Sequence, residues 1–205
     1  MPLLLTSAQG SEVVRLARRT LDSYVSTEER PESARWTGYL GERRGAFVTL
    51  NLLAPEGESL RGCVGFPYPV KELGEAVVEA TVGAASEDPR FPPVQPSELT
   101  GILVEVSALT KPETIKVGKR IELPSTIRIG TDGLIISTPS QSGLLLPQVA
   151  VEFNLKASDF LTEACIKAGL PPDSWLLDGV KVQKFQAEVF AEVVPRGTVK
   201  AVTFK

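Results

Sequence analysis

The chain has 205 residues, 42% apolar and 23% charged, enough to build a substantial core without a disulfide or a structural metal. Its 22 basic and 25 acidic residues give a formal charge of −3, so no long-range field gathers polyanions and a nucleic-acid partner is not expected. The absence of histidine removes imidazole catalysis and histidine-ligated metal sites, and the two cysteines, Cys63 and Cys165, cannot supply four thiolates.

Residues 1–5 lack the charged region and cleavage pattern of a signal segment, and no window approaches the roughly 18 apolar residues of a spanning helix. The expectation is a cytoplasmic protein without membrane partners, either monomeric or homodimeric. Ser11 to Val25 reads as a helix, with Val13, Leu16, Leu21 and Tyr24 on one face and Arg15, Arg18, Arg19 and Asp22 on a solvated one. A polar connection around Pro31 follows. Residues 45–52 and 59–66 read as a hairpin, and the internal glycine of Arg61-Gly62-Cys63-Val64-Gly65 argues for a bulge or a close approach by another group.

Lys71 to Ala85 has the apolar stripe of a second helix, with small residues suited to packing on a sheet. A loop with three prolines, Pro89, Pro92 and Pro93, leaves it. Residues 101–109 alternate as a strand with one wet or partly wet face, and residues 111–124 read as a peripheral excursion. Residues 126–130 and 133–138 are expected to form a hairpin through Asp132-Gly133. Pro147 suits a first helical position, and a further helix runs from Ala157 to Ala168 with Cys165 on its core face. After a link anchored by Trp175, residues 183–194 alternate as a long antiparallel edge or curved strand, placing Glu188 and Glu192 on the exposed side. Residues 199–205 suit a short last strand.

This order predicts an α+β fold: two strand-helix-strand-strand repeats, mainly antiparallel sheet and a small additional lobe. The chain reads as one domain over 1–205, with the lobe around 110–130.

Chemistry concentrates in two segments. In the first, Arg61 offers a planar cationic fork, Gly62 and Gly65 offer close backbone N–H groups, and Cys63 a thiol whose pKa a nearby cation lowers. In the second, Asp88 is placed to pair with Arg90, and Phe91 to anchor the loop. Arg61, Gly62, Cys63 and Arg90 are therefore the candidate ligand-binding residues, with Gln148 an outer candidate. A bulged strand carrying a buried cysteine accounts for much of the same pattern. No metal site and no cofactor motif are found.

These segments also carry a family resemblance. With Leu60-Arg61-Gly62-Cys63-Val64-Gly65, Asp88-Pro89-Arg90-Phe91, Asp132-Gly133-Leu134, Gly143-Leu144-Leu145-Leu146-Pro147-Gln148 and Lys167-Ala168-Gly169-Leu170, the chain resembles the AMME syndrome candidate gene protein family over nearly its whole length. Val64 stands where isoleucine is common in that family, Ser142 where arginine is common, and Phe153-Asn154 where tryptophan is common. The resemblance implies the two-repeat α+β fold and involvement in a modification pathway, not a particular reaction.

The leading expectation is a small anionic ligand, or a peptide carboxylate, held by the arginines around the thiol. Two alternatives stand beside it. Cys63 can act as a catalytic nucleophile activated by Arg61, or a surface formed by Phe190, Val194 and the last strand can dock a protein partner.

Overall fold

The computed structural model describes residues 5–30, 35–55 and 57–203. The Pro31 connection and the last two residues of the expected terminal strand lie outside them. The chain forms two compact units: the described residues up to Leu109 together with Glu188–Thr203, and Thr110–Ala187.

The first unit opens with α1 (Ser7–Thr27), longer than its apolar periodicity suggests. Thr6 and Gln9 form a reciprocal capping box, satisfying orphan donors one turn before the first apolar residue. The hairpin follows as β1 (Gly45–Ala54) and β2 (Gly57–Phe66), then α2 (Leu73–Ser86) and β3 (Ile102–Leu109). β3 pairs antiparallel with β1, giving the order β2-β1-β3. Ala46, Val48 and Leu50 of β1, with Ile102, Val104 and Val106 of β3, meet Val13, Ala17 and Leu21 of α1 and Ala76, Val77 and Ala80 of α2 in one core.

In the second unit, β4 (Glu113–Thr114) precedes β5 (Asp132–Ser137), β6 (Ser142–Leu145), α3 (Pro147–Glu152), α4 (Ala157–Lys167) and the beginning of β7 (Lys181–Glu192). The sheet order is β6-β5-β7, and β4 also pairs with β7. Leu134, Ile136, Phe160, Leu161, Cys165 and Trp175 centre its core. The last residues of β7, in the first unit, pair with β8 (Val199–Val202).

All these pairings are antiparallel, so the α+β class holds. The element order within each unit is strand-strand-helix-strand rather than strand-helix-strand-strand, with the third strand lying beside the first. Each unit also has a helix pressed onto the second strand of its hairpin at a glycine. A Cβ on Gly62 would lie 2.1 Å from the Ala84 carbonyl oxygen, and one on Gly143 would lie 2.3 Å from the Ala168 nitrogen.

Several sequence expectations are overturned. Residues 126–130 form no strand, because the Asp132 carboxylate takes the Arg128 backbone N–H at 3.0 Å and closes a turn. Leu123, read as part of a peripheral excursion, is fully buried. β7 is not an edge strand, since β4 and β5 both pair with it. The second face of β3 is drier than expected, with Glu105 alone half-buried and its other residues buried.

Glu192 is buried rather than solvated, because Arg18 of α1 reaches it with two hydrogen bonds and the Val104 N–H adds a third at 3.0 Å. Arg18 is correspondingly buried, and Glu188 pairs with Arg44 at 3.3 Å. Phe190 is buried against Gly10, which removes it from the expected docking surface.

Candidate functional site

The two segments singled out in the sequence meet along the outer edge of β2. The register passes from Leu50 opposite Gly62 to Asn51 opposite Leu60, which leaves Arg61 as the extra residue of a β-bulge. A bulge re-aims its side chain. Arg61 turns toward the loop after α2, where Nε lies 2.7 Å from Glu98 Oε1 and Nη2 lies 3.0 Å from Glu98 Oε2. Nη1 donates to the Pro92 carbonyl at 2.9 Å and Nη2 to that of Pro93 at 3.3 Å. Prolines bring no N–H to a ladder, so their carbonyls are held by a side chain instead.

Two residues along, Asp88 and Arg90 complete the strand edge. Asp88 Oδ2 accepts the Cys63 backbone N–H at 2.9 Å, and Arg90 Nη2 donates to the Cys63 carbonyl at 3.4 Å. The pair thereby occupies the place of a neighbouring strand, the kind of edge protection that blocks unwanted pairing. Asp88 also holds Arg90 through Nε at 2.9 Å and Nη2 at 2.6 Å. The Arg90 hydrogen bond, with further ones from the Cys63 and Arg90 backbone, outweighs burial and holds the Asp88 carboxyl far below the usual range. Hydrogen bonding to Arg61 likewise lowers the Glu98 pKa.

Phe91 stands between the two cations, with its ring centroid 6.0 Å from Arg61 Cζ and 5.5 Å from Arg90 Cζ. The arginines differ in access. Arg61 has 11% of its side chain exposed, against 54% for Arg90. Among the described residues, Arg90 Nη1 has no hydrogen-bond acceptor.

The thiol faces elsewhere. Cys63 stands opposite Thr49, which in turn stands opposite Glu105, making one cross-strand row on the sheet face away from the helices. Thr49 Oγ1 donates to Cys63 Sγ at 3.3 Å. Burial pushes the Cys63 pKa up; the Thr49 hydrogen bond and the charge of Arg90 oppose this, while Glu105 and Asp88 add to it. The expected activation by Arg61 is not realised, since that guanidinium is spent on Glu98 and the loop carbonyls.

Arg61, Gly62, Cys63 and Arg90 thus share one neighbourhood but not one task. Gly62 is buried, and its missing side chain admits the Ala84 carbonyl of α2. Gln148 belongs to α3 of the second unit, where its Oε1 is buried without a hydrogen-bond partner among the described residues. Glu98 and Thr49 were not singled out from the sequence. Glu98 carried a signal, because its spacing from Gln95 across Pro96 is that of a capping box.

The fold and the edge site define an α+β protein in which two arginine–carboxylate pairs secure a glycine-containing strand edge to a proline-rich loop. The AMMECR1 family model matches residues 14–190, and the chain belongs to that family. It is 50% identical over 195 residues to a protein of Thermococcus onnurineus, covering 93% of this chain and 94% of the relative. It is 47% identical over 201 residues to protein MJ0810 of Methanocaldococcus jannaschii, covering 96% of both. The crystal structure of the uncharacterized protein PH0010 from Pyrococcus horikoshii superposes with a TM-score of 0.89 at 46% identity, covering 97% of this chain and 98% of that one.

Proposed function

We propose that the edge site binds a carboxylate, borne by a small anionic ligand or a peptide terminus, and that the protein serves as an accessory factor in a modification pathway. The observation that carries this reading is the difference between the two arginines. Arg61 is consumed by the loop, whereas Arg90 is half-exposed, held in orientation by a buried Asp88 and stacked on Phe91. A half-exposed guanidinium already fixed in place offers directed donors at low ordering cost.

The formal charges of Arg61, Arg90, Asp88 and Glu98 cancel, so recognition rests on donor geometry rather than a positive field. The raised pKa of Cys63 favours this reading over thiolate catalysis.

The test uses N-acetyl-triglycine as the free acid and as the carboxamide, with citrate as a third probe, followed by side-chain NMR of the arginine Nε–H groups. The acid and citrate should shift Arg90 saturably, the carboxamide should not, and Arg90→Gln should abolish the response. Equal responses to acid and carboxamide, or binding retained in Arg90→Gln, would overturn the assignment.

A further inference from the structure

The loop clamped by Arg61 also walls a cavity. A cleft of about 440 Å³ lies between the carboxyl ends of α1 and α2 and residues 93–96, lined by Tyr24, Val25, Glu28, Ala85, Ser86 and Val94 among others. Both helices direct the negative end of their dipole to this place, each equivalent to roughly half an elementary charge. Neither helix carries a basic residue in its last turn to neutralise it. Glu28 adds a carboxylate from the left-handed cap of α1, where φ is 59°.

None of the described residues lining the cleft is basic. The neighbouring Arg30 is paired with Glu87 at 3.1 Å, so that those two charges cancel.

The polar groups inside are turned toward accepting. Ser86 Oγ gives its hydrogen to the Val82 carbonyl at 3.0 Å, so the Tyr24 hydroxyl is the donor in its 3.1 Å contact with Ser86. Among the described residues nothing donates to the tyrosine oxygen, and its ring adds a face that attracts cations. Val25, Ala85 and Val94 supply apolar surface beside this negative potential. A hard dication needs about six oxygen ligands, which one carboxylate and an apolar floor do not provide.

We propose that this cleft binds an organic cation: a primary ammonium carried on a short apolar stem, as in a lysine side chain. The two helix ends and Glu28 hold the charge, Tyr24 accepts from it, and the apolar floor covers the stem. The site is independent of the Arg90 reading, uses ligands of opposite charge and draws on different residues.

The test is an amide NMR titration of the full chain with N-acetyl-lysine methylamide, against its uncharged counterpart N-acetyl-norleucine methylamide. The lysine probe should give saturable shifts at residues 24–28, 85–87 and 94–95, and the norleucine probe should bind at least about 10-fold more weakly. Glu28→Gln should weaken the lysine probe by about 3-fold. Ser26→Lys, which places a cation in the exposed last turn of α1, should do so at least as strongly without lowering the thermal midpoint. Equal midpoints for the two probes, shifts confined to other residues, or indifference to both substitutions would overturn the proposal. Tighter binding of N-acetyl-arginine methylamide would overturn the choice of ammonium.

Discussion

Arg61 and Glu98 meet side by side, two nitrogens on two oxygens at 2.7 and 3.0 Å, although the sequence places them in a strand and in a loop beyond the next helix. The pair gives the β2 bulge its purpose: the extra residue delivers a fork to a loop that prolines have left short of donors. Glu98→Ala should therefore destabilise the protein by about 1–3 kcal/mol in urea denaturation and raise amide exchange at Val94 and Gln95. An unchanged midpoint would show that the pair contributes no stability.

The close approach of α2 to β2 sets a steric prediction. Gly62→Ala places a methyl group against a backbone carbonyl that cannot rotate away, and should cost about 2–3 kcal/mol or more. Gly179→Ala, with nothing within 4 Å of the added carbon, should change stability by less than about 0.5 kcal/mol. Denaturation midpoints of the two variants would compare them directly.

Acid should dissolve the strand-edge cap. The folded pKa of Asp88 is depressed, chiefly by the Arg90 hydrogen bond, and that of Glu98 is depressed chiefly by Arg61. A carboxyl with a folded pKa below its unfolded one contributes its full stability above the unfolded value, about 4, and loses it as pH falls toward the folded value. Stability measured by urea titration should drop below about pH 4, and Asp88→Asn should be less stable at pH 7 but show a flatter acid limb. An acid limb as steep as that of the native protein would show that Asp88 is not a source of the pH dependence.

Cys63 should be a slow thiol. Its burial and raised pKa predict alkylation by iodoacetamide at pH 7.5 at least about 10-fold slower than a free cysteine, and Arg90→Gln should slow it further by removing an opposing cation. Peptide mapping by mass spectrometry would follow Cys63 and the fully buried Cys165 separately. Reaction of Cys63 at the rate of a free thiol would contradict the environment described.

Arg18 and Glu192 form a buried pair, with 7% and 3% of their side chains exposed. Removing one partner strands the other, so Arg18→Met should cost about 3–5 kcal/mol, and Arg18→Met with Glu192→Met should recover part of that loss. A double variant no more stable than the single one would place the cost in lost packing rather than in the stranded charge.

Much of the first unit was legible from local pattern. The 3.6-residue stripe of Val13, Leu21 and Tyr24, the glycine-bearing bulge at Arg61–Gly62, and the Asp88–Arg90 pair all follow from rules that act over a few residues. The misplaced glutamates have a physical origin in contacts distant along the chain. Alternation along residues 183–194 shows that Glu188 and Glu192 lie on a different face from Phe185 and Val189, but not what covers that face. Arg18, 174 residues from Glu192, covers it, and no spacing rule reports a partner so distant. The expected strand at residues 126–130 failed for a local reason: its apolar letters suited a strand, yet Asp132, four residues on, satisfies the Arg128 N–H and closes a turn instead.

Composition and periodicity were sufficient for the α+β class, the helices and most of the long strands, the dismissal of imidazole chemistry and the membership of two arginines and a cysteine in one neighbourhood. These depend on local backbone preference and on which residue types are present at all. The division of labour within that neighbourhood arose only on folding. Arg61 became a fastener because a bulge and four prolines brought Glu98 and two carbonyls to it. Arg90 stayed accessible because Asp88 is buried beneath it, and Cys63 parted from Arg61, two residues away, because the bulge re-aims Arg61 while Cys63 keeps its place opposite Thr49.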